Sequence, residues 1–247
     1  MQNRKFKTNF TTKFEYSQAK SLSTHKISVI YIHGLFSDCW GRKPESVKEW
    51  CEARGIGFFR YELAGHGSDS ARYEEADMAV WKAQILEVID EMVDGPVVLV
   101  GSSIGGWLSL LAAAERPDRV CGVVGLAAAP DFTKDLEQYI FTPEQKQTMA
   151  QTGRLEFATK DFSYIFTKKM FDTAREMCLL GRKIPIDCPV HLLQGMKDDC
   201  IAPDKAMNIA KCLRSSQVVV KMLKNSNHRL CNPEDIRELF NSLESMV

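Results

Sequence analysis

Net charge is the first thing this chain lacks. Its 32 basic and 32 acidic residues cancel, and no basic stripe stands out, so no nucleic-acid partner is expected and no attraction to an anionic lipid surface. No run of about 18 apolar residues occurs, which excludes a membrane-spanning helix and any stable membrane insertion. The first twenty residues mix Lys, Thr, Phe and Asn and contain no apolar stretch of the kind a secretory signal needs. Their basic character is compatible with an organelle presequence, but a strand pattern begins within the first dozen residues and leaves little room for one. No pair among the eight cysteines has CxxC spacing, which argues against a thiolate metal site and a dithiol redox centre. Internal repeats and low-complexity segments are also missing.

What is present is apolar residue in quantity. The 247 residues are 45% hydrophobic, enough for one large core in a single domain spanning 1–247. A chain with that much core has little need of disulfides, and Cys121 sits in an apolar run as a buried thiol would. A reducing, cytoplasmic setting is expected.

Apolar runs alternate with amphipathic stretches. Strands are expected over 27–32, 57–63, 97–100, 120–128, 190–194 and 218–223, with helices over 44–54, 78–92, 104–115, 203–214 and 233–246. That alternation predicts an α/β fold with a mostly parallel, doubly wound sheet covered on both faces. Residues 131–185 break the rhythm. They show helix signals at Thr142-Pro143-Glu144 and over 163–180 and no obvious strand, so they read as a helical cap inserted in the domain.

The most informative string is Gly101-Ser102-Ser103-Ile104-Gly105-Gly106, between a short apolar strand and a small-residue helix. A serine lifted on a tight strand-to-helix turn needs very small residues two positions either side, and Gly101 and Gly105 meet that demand. Ser103 is therefore the candidate nucleophile; Ser102 lacks the flanking glycines. A nucleophile of this kind needs backbone donors for the developing oxyanion. The candidates are the amides of Ile104 and of Leu35, the latter in the His33-Gly34-Leu35-Phe36 turn after the first buried strand. His33 itself reads as a prop for that turn.

Gly195-Met196-Lys197-Asp198-Asp199 follows a later strand and offers a carboxylate at its exit. Asp198 fits the Gly-x-x-Asp step; Asp199 is adjacent and remains a second candidate. His228, in the polar loop between the last strand and last helix, is the candidate general base. The other histidines fit less well: His25 precedes the sheet, His191 starts a buried strand, and His66 lies in a Gly-His-Gly turn. Phe36, Trp107, Phe132, Phe162 and Phe166 could line an acyl site or fill ordinary core.

These motifs carry a resemblance. From about Ser28 to Leu243 the chain resembles the α/β-hydrolase superfamily. Within it the match is to a mitochondrial subgroup of abhydrolase-domain thioesterases, on Tyr31-Ile-His-Gly with Ser37-Asp38, Gly101-Ser-Ser-Ile-Gly-Gly-Trp107, Gly195-Met-Lys-Asp-Asp199 and Ser226-Asn-His-Arg229. The resemblance implies a Ser103–Asp198–His228 triad and hydrolysis of acyl thioesters, S-palmitoyl cysteine included, and of acyl esters. A small molecule or an acylated cysteine would be the substrate, with no metal and no organic cofactor. The cap matches the subgroup least well. Rival readings are a small-ester carboxylesterase and a non-catalytic ligand-binding protein on the same scaffold. Halide or epoxide chemistry is disfavoured, because those members of the fold use an aspartate nucleophile.

Overall fold

A computed structural model describes residues 1–19, 27–158 and 163–247. His25 and Phe162, both singled out above, lie outside the described residues.

Eight strands form one sheet in the order β1-β2-β4-β3-β5-β6-β9-β10. Six of them run parallel: β3 (Ser28–Ile32), β4 (Gly57–Tyr61), β5 (Val97–Ser102), β6 (Val120–Leu126), β9 (Val190–Gly195) and β10 (Val218–Leu223). β1 (Gln2–Lys5) and β2 (Thr11–Ser17) pair antiparallel with each other, and β2 pairs antiparallel with β4, Phe14 opposite Tyr61. The mostly parallel α/β sheet expected from the alternation is thus what forms, with an antiparallel hairpin added at one edge.

Strand side chains alternate between two cores, as a period of two requires. In β3, Val29 and Tyr31 point to the face shared with Val47 and Trp50 of α1 (Arg42–Arg54) and with Leu239 and Leu243 of α8 (Pro233–Glu244). Ile30 and Ile32 point to the opposite face, against Trp81 and Ile85 of α2 (Met78–Glu87) and Trp107 and Leu108 of α3 (Ile104–Glu115). α2 continues into a π-helical turn over Val88–Met92, and α7 (Lys205–Cys212) links β9 to β10. α1 stops at Gly55, whose φ of 69° is the left-handed conformation glycine accepts without penalty.

The segment between β6 and β9 departs from expectation. It contains α4 (Phe132–Asp135), a π-helical turn (Leu136–Ile140), α5 (Pro143–Thr152) and α6 (Lys168–Glu176). It also contains an antiparallel pair, β7 (Arg154–Ala158) with β8 (Ser163–Thr167). The helix expected over 163–180 is therefore a strand for its first five residues, and the cap is not purely helical. Leu155 and Phe166, partners across the pair, are buried, and Phe166 lies 6.0 Å from Phe141 and 5.6 Å from Phe171 between ring centroids. Cross-strand burial of this kind outweighs local helix preference.

The insertion is fastened at its base. The buried Asp131 carboxylate accepts the amides of Leu179 (2.7 Å) and Leu180 (2.9 Å), joining the start of the segment to its end. Trp107 Nε1 donates to the Met177 carbonyl at 3.2 Å. All eight cysteines are free thiols. Among the described residues no helix is long and apolar enough to cross a membrane.

Candidate active site

In an open parallel sheet the crevice lies at the carboxyl ends of the strands, where the chain's winding direction reverses. Here that point is β3, flanked by β4 and β5. Every candidate residue lies just beyond such a strand end: His33–Phe36 after β3, Ser103 after β5, Asp198 after β9, His228 after β10.

Ser103 has φ 55° and ψ −118°, a strained backbone for a residue with a side chain. Its environment over-determines that conformation. The Ser103 amide donates to the Leu126 carbonyl at 2.9 Å, and its carbonyl accepts from Ala129 at 3.1 Å. A Cβ on Gly101 would come within 2.2 Å of the Gly105 carbonyl oxygen, and one on Gly105 within 2.3 Å of the Ile32 oxygen. The two glycines are therefore required by backbone contact. A Cβ on Gly34 would stand 3.4 Å from the Ser103 Cβ, so the β3 turn and the serine turn are neighbours. Among the described residues, neither the Leu35 nor the Ile104 amide donates a hydrogen bond within the protein. Ile104 opens α3, where unpaired amides and the helix dipole favour negative charge.

The β3 turn is secured by two buried histidines that exchange bonds with the loop after β4. His33 donates from Nδ1 to the Gly34 carbonyl (2.8 Å), and its Nε2 accepts the Leu63 amide (2.9 Å). In return His66 Nε2 accepts the Phe36 amide (3.1 Å), while its Nδ1 donates to Ala64 (3.1 Å). Both rings must be neutral to accept. Burial pushes His33 down to about 4; burial, then the neighbouring His33, pushes His66 down to about 3. Both histidines therefore position the turn, His66 as well as His33.

Asp198 and His228 meet directly: His228 Nδ1 donates to Asp198 Oδ2 at 2.9 Å. The carboxylate is saturated. Oδ2 also accepts Gln194 Nε2 at 2.8 Å, and Oδ1 accepts the amides of Cys200 (2.9 Å) and Ile201 (2.8 Å). Burial alone would raise its pKa. The His228 hydrogen bond and charge and the two amides prevail, holding the carboxyl below its usual value. With Nδ1–H so bonded, His228 is fixed in the tautomer that leaves Nε2 free to accept a proton. Asp199 is exposed, and its carboxylate meets the Cys200 thiol at 3.5 Å. Gln194 was not singled out from sequence; its only signal is its place as the residue before the Gly-x-x-Asp step.

Asp198, Cys200 and His228 bring donor atoms within 4.8 Å of one another. That set suits a cation poorly, since Asp198 already accepts four hydrogen bonds. The Cys200 thiol, pushed up to about 11 by burial and then by Asp199, stays protonated. Of the aromatic candidates, Trp107 and Phe166 are buried core. Phe36 and Phe132 are partly exposed. The Phe36 ring lies 4.5 Å from Tyr73 and 5.5 Å from Tyr164 of β8, which brings the insertion against the β3 turn.

A strained serine entering a helix beyond the central strands, with a carboxylate–histidine pair at later strand ends, defines a class. The chain belongs to the alpha/beta hydrolase family, whose sequence pattern residues 29–231 match; it is an enzyme of the hydrolase class. It is 33% identical over 237 residues to human mitochondrial palmitoyl-protein thioesterase ABHD10, an alignment spanning 92% of this chain and 75% of the human one. The structure of mouse alpha/beta hydrolase domain-containing protein 10 superposes with a TM-score of 0.88 at 28% identity, covering 99% of this chain and 96% of that one. A putative hydrolase from Agrobacterium vitis S4 superposes with a TM-score of 0.90 at 28% identity, covering 96% and 94%.

Proposed function

We propose that Ser103, His228 and Asp198 form a catalytic triad that hydrolyses acyl thioesters and carboxylic esters through an acyl-enzyme. Ser103 attacks the acyl carbonyl while His228 Nε2 takes its proton. The Leu35 and Ile104 amides receive the oxyanion, and Asp198 stabilises the imidazolium. The proton then passes to the leaving thiolate or alkoxide. Water, deprotonated by His228, cleaves the acyl-enzyme in the same geometry. No metal or organic cofactor takes part. The observation that carries this reading is the His228 Nδ1–H bond to a buried, fully bonded Asp198 at 2.9 Å, because it aims the basic nitrogen away from the acid.

Substrate class follows from the likeness to a palmitoyl-protein thioesterase: an S-acylated cysteine or a small acyl thioester. Residues 131–185 act as the cap over the acyl site, with Phe36 and Tyr164 at its entrance. The partners are such substrates, with no nucleic acid and no stable membrane insertion. Eight unpaired thiols suit a reducing compartment, and the cytoplasm is our proposed location, although the human relative is named as mitochondrial.

Steady-state hydrolysis of paired p-nitrophenyl esters and acyl thioesters of increasing chain length tests this. Higher kcat/KM on long thioesters is expected. Preference for short oxygen esters would favour a small-ester carboxylesterase, a reading supported by the close Phe36–Tyr164 contact. Ser103→Ala should lower kcat on the order of 10⁶-fold with little change in Tm; retained turnover would overturn the nucleophile assignment, and a wild-type protein inactive on every substrate would leave a ligand-binding role.

A further inference from the structure

Three cations are buried among the described residues: Lys43, Arg60 and Lys205. Arg60 pairs with Glu15 and Glu45, and Lys205 with Asp135. Among the described residues, Lys43 forms no ion pair with a carboxylate. Its Nζ donates to Ser102 Oγ at 3.0 Å and to the Arg229 carbonyl at 2.6 Å. Those are the residue before the candidate nucleophile and the residue after the candidate base.

This placement is costly on two counts. Burying a charge without an opposite charge is unfavourable. Lys43 also occupies the first turn of α1, where the helix dipole repels a cation. Burial pushes the ammonium down to about 8, only partly offset by the nearby Cys231 thiol and Asp235 carboxylate. A methionine would fill the same volume at less cost to stability. A sequence that breaks local rules without a gain in packing is commonly serving a site.

We propose that Lys43 is a positioning residue of the hydrolase, clamping the serine turn to the histidine loop and so fixing the distance from Ser103 to His228. This rests on the triad proposed above. The two loops follow β5 and β10, which are separated in the sheet by β6 and β9, so no ladder hydrogen bond sets their spacing. Lys43, in the first turn of α1, reaches both. His228 is directly bonded to Arg229, and Leu230 just beyond has φ 47°, a strained turn that needs an external hold. Lys43 touches no reacting atom; it acts through Ser102 and Arg229.

Lys43→Met, Ser102→Ala and the double variant test the clamp, assayed beside Ser103→Ala. Lys43→Met should keep or raise its Tm and lower kcat about 10–100-fold, the cost of an ångström-scale misplacement, with KM changed less than about threefold. Ser102→Ala should show a smaller loss in kcat. The double variant should be no worse than Lys43→Met, because both remove one linkage. A folded Lys43→Met with wild-type kcat, a loss confined to KM, or losses that multiply in the double variant would overturn the proposal. Should Lys43→Met fail to fold, Ser102→Ala decides: wild-type kcat there overturns the clamp, and a selective kcat loss supports it. Turnover surviving in Ser103→Ala would sink the triad and the clamp with it; an inactive Ser103→Ala beside a fully active Lys43→Met would sink the clamp alone.

Discussion

The serine turn and the insertion both depend on glycine, for opposite reasons. At the serine turn a Cβ on Gly105 would strike the Ile32 and His33 carbonyl oxygens at 2.3 and 2.7 Å, and one on Gly106 would meet Ala128 Cβ at 2.6 Å. In the insertion, a Cβ on Gly153 or Gly181 would meet nothing within 4 Å, and glycine is there only because φ is 75° and 83°. The first region is built by backbones in contact, so its geometry admits almost no side-chain variation. The second is held by side chains: the Phe141–Phe157 and Phe141–Phe171 ring contacts at 5.4 and 5.7 Å, the Asp131 carboxylate, and surface pairs such as Arg175–Glu137. On the function proposed above, a rigid reaction centre beneath a side-chain-built cover would let acyl selectivity change without disturbing the chemistry.

After the loss expected of Ser103→Ala, the largest effect expected at the proposed triad is at Asp198. Asp198→Asn keeps the shape but weakens control of the His228 tautomer, and kcat should fall about 10⁴-fold. Asp199→Asn, one residue on, alters an exposed group and should leave kcat within about twofold. Equal losses in both variants would mean that the acid loop rearranges in turnover. Gly105→Ala comes next. The added methyl strikes backbone that cannot move aside, so a loss of roughly 3 kcal/mol in stability, with loss of activity, is expected in urea melts. A Gly105→Ala protein as stable as wild type would break the comparison, since it would show that the serine turn can yield.

The histidine pair supplies a pH-dependent test of the same rigidity. A buried neutral histidine has a folded pKa below its ordinary 6.5, so the unfolded chain takes up protons first as pH falls. Its contribution is fully present above 6.5 and is lost progressively as pH drops towards about 4 for His33 and about 3 for His66. Between about pH 7 and about pH 4.5, His33 alone should cost the fold about 2–3 kcal/mol. The lowered carboxyl of Asp198 adds little between about pH 7 and about pH 4.5, because its contribution is present above 3.8 and is lost as pH falls below it, where it overlaps the last part of the His66 loss. Urea midpoints across that range check this; a flat profile would mean that the two rings are not buried neutral in solution.

The same contrast explains what could be read from the sequence. α3 and β10 are expected and observed over the same residues, and β3 and β5 within two, because largely apolar runs bounded by polar or turn residues leave few alternatives. The neighbourhood of Ser103 was legible since backbone contact permits only Gly101-x-Ser103-x-Gly105. The β7–β8 pair was not. Its period-two signal, Leu155 and Phe157 against Tyr164 and Phe166, lasts five residues a strand, and β8 runs directly into α6, so a helical reading of 163–180 absorbed it. β1 and β2 lie where the sequence already shows a strand pattern, within the first dozen residues, and pairing fixes them, β1 to β2 and β2 to β4. Lys43 carried no motif. Its signal is a rule broken, a cation in the first turn of a helix, and that acquires meaning only when Ser102 and Arg229 stand beside it.

The smallest effect should come from the insertion, and it bears most directly on the comparison. Gly153 ends α5 in the left-handed region, its amide closing on the Met149 carbonyl at 2.9 Å. Gly153→Ala meets open space, so the cost is the conformational penalty alone, about 1–2 kcal/mol. Reduced unfolded-chain entropy offsets part of it, about 0.4–1 kcal/mol. A net loss near 1 kcal/mol with unchanged kcat on a short ester is therefore expected. The same substitution, glycine to alanine, would then separate the two regions by both stability and turnover. A fall in kcat for Gly153→Ala would mean that strain in the cover reaches Ser103 through the Tyr164–Phe36 contact. The insertion would then belong to the catalytic frame, and acyl selectivity could not vary independently of rate.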